Sequence, residues 1–366
     1  MMIRPHGKFG MNKIFWLNKK VIITGHTGFK GSWLSIWLKH LGAEIVGVSI
    51  DPPSTPSLYL LSNIGDDVES LHVDIRDRKA ISEVFKRVKP EIVFHLAAQS
   101  LVRYSYLHPV ETYETNVMGT LNILEAIRNV SSVRSAIMVT SDKCYDNKEL
   151  ELGFKESDPL GGKDLYSSSK ASAEHLISSY QNSYFPEDDY QEHQVAMASV
   201  RAGNVIGGGD WAEDRLIPDI LKAFQLHQPV SIRYPNAVRP WQHVLEPIAG
   251  YISLAEKLYS EGIKYGEAWN FGPSDMDAKP VITVVKKMVK LWGEDASWIL
   301  DDEAHPSEAN YLKLDCSKAH SKLLWKPKWN LNTALRKTIE WSKITNNNGN
   351  YRECCLQQIY DYTNTK

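Results

Sequence analysis

Short apolar runs alternate along the first half of the chain with segments whose apolar residues recur every three or four positions. The apolar runs are rich in β-branched residues, as in buried parallel strands, and lie at 21–24, 44–50, 92–96, 136–140 and 195–201. The segments with helical periodicity lie at 32–41, 78–88, 112–129 and 167–180. This alternation predicts a doubly wound α/β fold built on a parallel, Rossmann-type sheet.

The second half of the chain has a different pattern, which begins with GGGDW at 207–211 and is interrupted by Pro218, Pro229, Pro235 and Pro240. Such spacing indicates a loop-rich second lobe. Further on, 268–273 resembles a strand, 281–291 and 331–343 resemble helices, and 346–350 resembles a polar linker to a last helix. We therefore predict a Rossmann domain from 12–205 plus 238–274, interleaved with a smaller substrate-binding lobe from 206–237 plus 275–366; the fold need not include residues 1–11.

Composition and charge narrow the class of function. The 366 residues include 42 basic and 44 acidic side chains, a balance that gives no electrostatic reason to expect nucleic acid or a membrane as partner. The four cysteines have no metal-binding spacing and no apolar stretch is long enough to span a membrane, so we expect no metal site and a place in the reducing cytoplasm. The eleven tryptophans are expected mainly to pack in the core rather than to stack on sugars or bases.

A glycine-rich turn follows the first predicted strand and opens the first predicted helix. It consists of Gly25, His26, Thr27, Gly28, Phe29, Lys30 and Gly31. Glycines in this GxxGxxG spacing allow the backbone to approach a pyrophosphate, whose charge is stabilised by the helix N-terminus. A lone glycine triplet is also compatible with an ordinary tight turn, but the following strand ends favour a dinucleotide site.

Three further strand ends support this site. Asp51 closes the second strand, where its carboxylate can bind ribose hydroxyls and would repel a 2′-phosphate, so the pattern favours NAD over NADP. Asp74 and Ile75 end the next strand-like run and are expected near the adenine, although Asp74 alone would also suit a turn cap. The strand at 92–96 is followed by small residues in the segment Leu96-Ala97-Ala98, which would allow the cofactor to approach closely. An alanine pair alone would also suit tight packing.

Tyr166 and Lys170 lie four residues apart and therefore share one face of a predicted helix. A neighbouring cation and the positively charged nicotinamide favour the phenolate, which could take a proton from a sugar hydroxyl as hydride leaves for NAD⁺. The alternative is a surface pair of tyrosine and lysine with little electrostatic coupling.

The strand at 136–140 ends in polar residues that could simply start a loop. However, the carboxyl ends of parallel strands face the ligand crevice, which favours one site shared with Tyr166 and Lys170. These residues are Thr140, Ser141, Asp142 and Lys143.

Several longer segments resemble the nucleotide-sugar 4,6-dehydratases of the extended short-chain dehydrogenase/reductase family, and among them those that act on CDP-glucose. They are GHTGFKGSWL, HLAAQSLVRYSY, TNVMGT, TSDKCYD, YSSSK, RAGNVIGGGDWAEDRLIPD, RPWQHVLEP and WNFGP. The resemblance extends from about residue 15 to about residue 329. The glycine turn and YxxxK are shared by the whole family, whereas TSDK and RPWQHV are much narrower.

The resemblance implies a dehydration without net oxidation. Tyr166 would deprotonate the C4 hydroxyl of glucose as hydride passes to NAD⁺, and Lys170 would hold the cofactor ribose and assist the phenolate. The 4-ketone acidifies H5, water leaves across C5 and C6, and the hydride returns to C6. Ser141 would bond the C4 oxygen and Asp142 would protonate the departing hydroxyl. Lys143 stands where related dTDP-glucose dehydratases carry glutamate, so it would serve as a neutral-amine base for H5 or only stabilise the enolate, with another group as base.

The resemblance also implies a substrate pocket and an assembly. The implied pocket residues are Asn204, the segment 207–210 with Gly208, Arg239, Trp241 and His243, together with Gln99 and the weaker candidates Arg103, Ser105, His305 and Glu308. Arg239 would bind the diphosphate through its planar guanidinium, or else form a salt bridge at the rim. The segments 112–129 and 167–180 correspond to the dimerisation surface of the family, so a homodimer or larger oligomer is expected.

Other functions share parts of this pattern. A nucleotide-sugar 4-epimerase needs the NAD turn, the tyrosine and the lysine, but not an acid and base at 142 and 143. A regulatory protein that binds NAD without turnover could lose the tyrosine, which this chain keeps. A simple sugar dehydrogenase would accumulate NADH, whereas a dehydratase recycles its cofactor. The preference for cytosine rests on the resemblance alone.

Overall fold

The computed structural model describes residues 12–149, 152–293, 295–301, 311–344 and 350–365. Its strands are β1 (Lys20–Thr24), β2 (Glu44–Ser49), β3 (Glu69–His72), β4 (Ile92–His95), β5 (Ser135–Val139), β6 (Ala196–Ala202), β7 (Val205–Ile206), β8 (Val230–Ile232), β9 (Val238–Pro240), β10 (Gln242–His243), β11 (Ala268–Phe271), β12 (Ala278–Pro280) and β13 (Trp298–Leu300).

The α-helices lie between and beyond these strands. They are α1 (Lys13–Trp16), α2 (Phe29–Leu41), α3 (Leu58–Leu61), α4 (Arg78–Val88), α5 (Val102–Leu107), α6 (Pro109–Tyr113), α7 (Thr120–Arg128), α8 (Leu165–Tyr184), α9 (Tyr190–His193), α10 (Leu216–Gln225), α11 (Leu245–Glu261), α12 (Val281–Trp292), α13 (Ser317–Lys322), α14 (Leu331–Ile344) and α15 (Tyr351–Asn364). Short 3₁₀ turns occur at Ile64–Asp66, Asp142–Cys144, Glu187–Asp189, Gly262–Tyr265 and Asp275–Asp277.

The central sheet has seven strands in the order β11-β6-β5-β4-β1-β2-β3. Every neighbouring pair is parallel, which confirms the predicted doubly wound architecture. The strand order reverses at β1, which pairs with β2 on one side and β4 on the other. Ligands of such sheets bind at this switch point, outside the carboxyl ends of the strands. The topology therefore directs attention to the turns that follow β1, β4 and β5.

Apolar side chains of the sheet alternate between two covered faces. Val21 and Ile23 point into one buried cluster, to which α2, α11 and several tryptophans contribute. Ile22 points into the other cluster, which α4, α7 and α8 complete. The expectation that tryptophans mainly pack in the core agrees with the burial of five of them, since Trp16, Trp33, Trp37, Trp269 and Trp325 are among the largest fully buried side chains.

The single helix predicted over 112–129 is wrong in detail, because a π-helix at Glu114–Gly119 separates α6 from α7. The wider turn carries Asn116, whose amide donates to the backbone oxygen of Gln99 at 2.9 Å and to Ser169 Oγ at 2.9 Å. It also carries Gly119, where an added Cβ would lie 2.5 Å from Ile75. The extra residue thus lets one turn contact both the loop after β4 and α8, as π-bulges often do beside functional sites.

The predicted loop-rich lobe contains more helix than its prolines suggest. α10 includes Pro218, which lies in the first turn, where a missing backbone N–H removes no intrahelical hydrogen bond. With α12 and α14 it encloses a third apolar cluster. Two short pairs, parallel β8 and β13 and antiparallel β9 and β12, complete this part. The lobe is therefore held by its own small core.

Two long helices differ from what the sequence predicted: one was not predicted at all, and the other packs across the predicted domain boundary. The buried helix α11 was not predicted, although it covers one face of the sheet. α15 falls in the predicted lobe segment, yet its Tyr362 ring lies 5.8 Å from Trp37 of α2. The division into two domains stays a prediction. Across the described ranges, no helix combines the length and apolar character needed to cross a membrane.

Candidate active site

The turn between β1 and α2 is packed too tightly for side chains. Gly25 has a φ of +75°, and a Cβ on it would lie 2.7 Å from the backbone nitrogen of Ala97. A Cβ on Gly31 would lie 2.1 Å from the carbonyl oxygen of Gly25. Gly28 caps α2 without a side-chain hydrogen bond, so the first N–H groups of the helix are available to an anion. This cradle fits the pyrophosphate of a dinucleotide.

The other residues of the turn face in different directions. Thr27 Oγ1 lies 2.7 Å from Ser49 Oγ at the end of β2. Phe29 is partly buried, and His26 is fully buried with its pKa lowered to about 4 by burial. Burial also lowers the pKa of Lys30 to about 8, an effect increased by Arg215 and opposed by two nearby carboxylates. Lys30 therefore interacts electrostatically with Asp142 and Lys170 of the candidate site, and not only with the glycine turn.

The strand ends predicted to bind adenosine have distinct environments. The Asp51 carboxylate is 90% exposed and lies 3.3 Å from His72 Nε2, so it is accessible to a ribose. The Asp74 carboxylate accepts from the backbone N–H of Arg76 at 2.8 Å and from its guanidinium at 2.6 Å. This is the turn cap that the sequence also allowed, and hydrogen bonds from Arg76 hold the pKa of Asp74 low. Ile75 is buried, and contact of these two residues with adenine stays a prediction.

The segment after β4 closes the opposite side of the turn. Leu96, Ala97 and Ala98 are partly exposed, and the Ala97 N–H donates to Thr24 Oγ1 at 3.2 Å. Gln99 follows them, and its amide donates to Thr112 Oγ1 at 2.9 Å. The small side chains are compatible with close approach of a cofactor to the carboxyl ends of β1 and β4, and their contact with a cofactor stays a prediction.

Ser141 and Asp142 lie directly after β5. The Ser141 hydroxyl accepts from the backbone N–H of Lys143 at 3.2 Å and donates to Asp142 Oδ1 at 3.1 Å. Asp142 is only 4% exposed, and burial raises the pKa of its carboxyl, although Lys143 and Arg239 oppose this effect. Within the described part of the chain, its Oδ2 atom is buried without a hydrogen-bond partner. Such a carboxyl retains its proton more readily than an exposed one.

Tyr166 and Lys170 lie on α8, whose N-terminus is fixed by hydrogen bonds from Ser167 to the Asp164 carboxylate at 2.9 and 2.6 Å. Burial raises the pKa of Tyr166 to about 12, while a hydrogen bond with Ser141 and the charge of Arg215 act in the opposite direction. Burial lowers the pKa of Lys170 to about 8, with Lys30 contributing. The phenol, the serine and the aspartate are therefore brought to one place.

The residues predicted to bind the substrate do not all face a cleft. Arg239 is 7% exposed, donates to the carbonyl of Val238 at 3.0 Å and influences Asp142 electrostatically. Trp241 is buried and donates to the carbonyl of Lys279 at 2.9 Å. His243 is fully buried, and burial lowers its pKa to about 3, so it is neutral. The placement of Trp241 and His243 points to packing beneath the site rather than direct contact.

Other predicted pocket residues support the loops around the cleft. The carbonyl of Gly208 accepts from Trp33 Nε1 at 2.9 Å, and a Cβ on this glycine would lie 2.0 Å from Trp341. The carbonyl of Asn204 accepts from the backbone of Gln242 at 3.0 Å. The buried hydroxyl of Ser105 donates within its own helix to Val102 at 2.6 Å. Two remaining predictions, His305 and Glu308, fall outside the described residues. All these substrate roles stay predictions.

The sequence reasoning named Asp210 and Arg103 but missed Asp214 and Arg215 at the end of the loop at 210–215. Arg215 donates to Asp210 Oδ2 at 3.0 Å and, in the segment after β4, to Ser100 Oγ at 2.9 Å. Asp214 accepts from Arg103 at 3.1 Å and from Arg233 at 3.0 Å. The acidic and basic residues of GGGDWAEDR were the available signal, but their partners come from distant segments. The loop is therefore tied to the segment after β4 by side-chain charges.

Comparison with known proteins gives a consistent picture. The sequence model of GDP-mannose 4,6 dehydratase matches residues 22–338. The CDP-glucose 4,6-dehydratase of Salmonella typhimurium is 53% identical over 352 residues, covering 96% of this chain and 98% of that protein. The dTDP-glucose 4,6-dehydratase of Haemophilus influenzae is 25% identical and covers 88% of this chain and 97% of its own length.

Solved structures share the fold. The dTDP-glucose 4,6-dehydratase of Bacillus anthracis in complex with NAD superposes with a TM-score of 0.72 at 22% identity, covering 89% of this chain and 96% of its own. The UDP-glucose 4-epimerase of Thermotoga maritima with UDP-glucose gives a TM-score of 0.77 at 23% identity, covering 89% and 99%. At such identities the likeness establishes the architecture, which epimerases and dehydratases have in common.

Proposed function

The chain belongs to the GDP-mannose 4,6-dehydratase family of extended short-chain dehydrogenase/reductases, and on that basis we propose that it converts CDP-glucose to CDP-4-dehydro-6-deoxyglucose and water. The observation that carries the proposal is the convergence of Tyr166, Ser141 and Asp142 beside a pyrophosphate cradle. The reaction needs a base at C4 and an acid at C6, and these side chains supply both.

The cofactor is NAD. The glycine turn would hold its pyrophosphate, the exposed Asp51 carboxylate would bind its adenosine ribose, and Lys170 would bind the second ribose. When bound, NAD⁺ supplies an acceptor for the C4 hydride and returns that hydride to C6. All other steps fall to side chains of this protein.

At C4, Tyr166 acts as the base. Since burial raises its pKa, the phenol of the free protein keeps its proton at neutral pH. The nearby charge of Arg215, with the bound cofactor, favours the phenolate when the sugar is in place. Ser141, which is hydrogen-bonded to Tyr166, holds the C4 oxygen while the proton leaves.

At C6, Asp142 acts as the acid. Burial raises the pKa of its carboxyl, which favours the protonated form that an acid needs, and its buried Oδ2 atom lacks a partner within the described residues, so it can be offered to the C6 hydroxyl. Lys143 is partly buried beside it, and we propose that it either removes H5 or stabilises the enolate. In the elimination, H5 passes to the base while the C6 hydroxide takes the proton of Asp142 and leaves as water. When hydride adds to C6, a proton returns to C5, and the proton taken from the C4 hydroxyl replaces the one lost from Asp142.

Three arginines give the site its affinity for a nucleotide diphosphate. The proposed groups are Arg239, Arg103 and Arg215, because planar guanidinium groups bind phosphate oxygens in pairs and Arg239 and Arg215 interact electrostatically with Asp142 and Tyr166. We further propose a homodimer or larger assembly through the π-helix and α8, on which Met118 and Tyr184 are 49% and 48% exposed.

The cytoplasm is the proposed compartment, because its reducing conditions suit thiols that form no disulfide.

A panel of nucleotide-glucoses tests this function. The purified protein with NAD is incubated with CDP-, dTDP-, UDP- or GDP-glucose, and ketone formation and NADH are followed together. We expect the fastest ketone formation from CDP-glucose without accumulation of NADH. Accumulated NADH would indicate a simple dehydrogenase, and an epimer without ketone would indicate a 4-epimerase. NAD binding without conversion of any of the four substrates would favour a regulatory role.

A further inference from the structure

A buried ion pair lies between α8 and β6, behind the end of β5. The side chains of Glu174 and Arg201 are only 3% and 4% exposed, and two nitrogens of the guanidinium lie 2.7 and 2.9 Å from the two carboxylate oxygens. Burying two charges costs desolvation energy that their attraction often fails to recover, so such a pair is weak evidence for stability. A geometrical role explains its presence better.

Glu174 reaches the end of β5. Its carboxylate accepts from Thr140 Oγ1 and, at 2.7 Å, from Ser199 Oγ, in addition to the two bonds from Arg201. Thr140 directly precedes Ser141 in the chain. The carboxylate therefore holds the start of the segment 140–145, which carries the proposed acid and which we call the catalytic segment.

Arg201 holds the other end of the catalytic segment. Its remaining terminal nitrogen donates to the Tyr145 hydroxyl at 2.8 Å and to the carbonyl of Glu156 at 3.2 Å. The Tyr145 hydroxyl in turn donates to Asn270 Oδ1 in β11 at 2.7 Å. The ion pair thus forms hydrogen bonds with both ends of the catalytic segment, at Thr140 and at Tyr145.

The same pair also fixes α8. Glu174 lies four residues after Lys170 and eight after Tyr166, so the three side chains follow one face of the helix. Its negative charge raises the pKa of Lys170, against the lowering by burial and by Lys30. Among the described residues, the Cys144 thiol and the neutral His95 ring also interact electrostatically with Lys170.

We propose that Glu174 and Arg201 are positioning residues that hold the Tyr166 hydroxyl and the catalytic segment in the relative placement that hydride transfer requires. The inference rests on the proposed function, since the step it serves is oxidation at C4. The pair acts through Thr140, Tyr145 and Lys170. A misplacement of about 1 Å in a catalytic group can cost about 100-fold in rate.

The variant Glu174→Gln tests the role with little change of shape. We expect kcat to fall about 100-fold while KM for CDP-glucose stays within about threefold, because the pair touches neither substrate nor cofactor. The deuterium isotope effect on kcat with C4-labelled substrate should rise, since hydride transfer becomes slower. The alkaline limb of the pH profile should move to lower pH, because Lys170 loses its anionic neighbour. A lower melting temperature with wild-type kcat, isotope effect and pH profile would overturn the proposal.

Two single-hydroxyl deletions form a matched pair that does not depend on removing a buried charge. Tyr145→Phe removes a bond between Arg201 and the catalytic segment, whereas Ser199→Ala removes a bond to Glu174 from within β6. We expect kcat to fall about tenfold in Tyr145→Phe and to stay within about twofold of wild type in Ser199→Ala. Equal effects of the two changes would mean that the pair only stabilises the fold.

Failure of the inference can be separated from failure of the proposed function. If the wild-type protein makes no ketone from CDP-glucose, the proposed function fails. The electrostatic effect of Glu174 on Lys170 can then still be measured, as the pKa of Lys170 from a nuclear magnetic resonance titration of ¹³C-labelled lysines. The variant Lys170→Met assigns the signal. Lys170 should titrate at lower pH in Glu174→Gln than in wild type, and an unchanged titration would overturn the inference.

Discussion

The cofactor turn and the wall of the substrate cleft are built from different kinds of contact. In the turn, backbone atoms determine the spacing, since a Cβ on Gly31 would lie 2.1 Å from the Gly25 carbonyl. In the proposed wall, partly exposed charges from the loop at 210–215 pair with α5, and the Arg103 and Asp214 side chains are 34% and 41% exposed. Exposed ion pairs contribute only about 0.2 to 1 kcal/mol, so they can exchange partners easily. The comparison teaches that the cofactor side is preformed, whereas the substrate side can adjust to its ligand.

The largest expected effect comes from removing one reactive hydroxyl while the cofactor turn and the substrate side of the site keep their structure. Tyr166→Phe deletes the hydroxyl that we propose as the base at C4, and general base catalysis accounts for about 100- to 10,000-fold in rate. We expect kcat to fall by about 1,000-fold or more, with NAD affinity within about threefold of wild type. Steady-state rates and NAD titration measure the two quantities. Wild-type turnover in this variant would exclude Tyr166 as the base.

The preformed turn can be broken by a single methyl group. In Gly31→Ala the new Cβ would collide with backbone that cannot move without displacing α2, so we expect NAD affinity to fall by about 100-fold or more. Calorimetric titration with NAD measures the change. The matched variant Gly28→Ala would place its Cβ at 3.4 Å from the nearest atom, an ordinary contact, and should lose less affinity. Equal losses would show that close packing is not what shapes the turn.

A pH-dependent contribution to stability lies beneath both regions, at Glu246 of α11. Its carboxylate accepts from the backbone of Lys328 and Trp329 and from the Tyr362 hydroxyl at 2.7 Å. Burial raises its pKa from 4.5 to about 7. The folded protein therefore holds this proton where the unfolded chain has released it, so the stability contribution falls as pH rises from 4.5 to about 7 and is constant above.

Glu246→Gln should remove this pH dependence. One pKa unit corresponds to about 1.4 kcal/mol, so we expect up to about 3 kcal/mol of the difference in unfolding free energy between about pH 5 and about pH 8 to disappear. Urea unfolding at several pH values measures it. A variant whose unfolding free energy keeps the full pH dependence of wild type would rule out Glu246 as its source.

The smallest expected effect tests the adjustable wall. Asp214→Asn removes the carboxylate that binds Arg103 and Arg233 and that, in the proposed site, would compete with a diphosphate for them. We expect KM for CDP-glucose to fall by up to about fivefold, with unchanged NAD affinity and a weaker dependence of KM on salt. Kinetics at two ionic strengths check this. An increase in KM, or a change in NAD affinity, would show that the loop at 210–215 is a fixed part of the site.

The Rossmann part could be predicted from sequence because each of its features is local. The apolar runs of β1, β4 and β5 identify strands without knowledge of their neighbours, and the spacing of Tyr166 and Lys170 places both on one helix face. The π-helix at Glu114–Gly119 could not be predicted in this way, because it is imposed by the contacts of Asn116 with the loop after β4 and with α8.

The substrate side could be predicted only in part because its features depend on distant partners. Pro218 suggested a loop, yet it lies in the first turn of α10, where proline is tolerated. Trp241 and His243 match a family motif, and only the packed structure shows that both are buried. Glu174 and Arg201 are 27 residues apart, on a helix and a strand, and nothing in either segment indicates their pairing.

Transfer of a label within the sugar tests the central claim most directly. CDP-glucose that carries deuterium at C4 is converted with NAD, and the product is examined by nuclear magnetic resonance and mass spectrometry. We predict a 4-keto product in which the deuterium has moved to C6, because one bound cofactor accepts and returns the same hydride. Deuterium retained at C4, or an epimerised sugar as the sole product, would contradict the account.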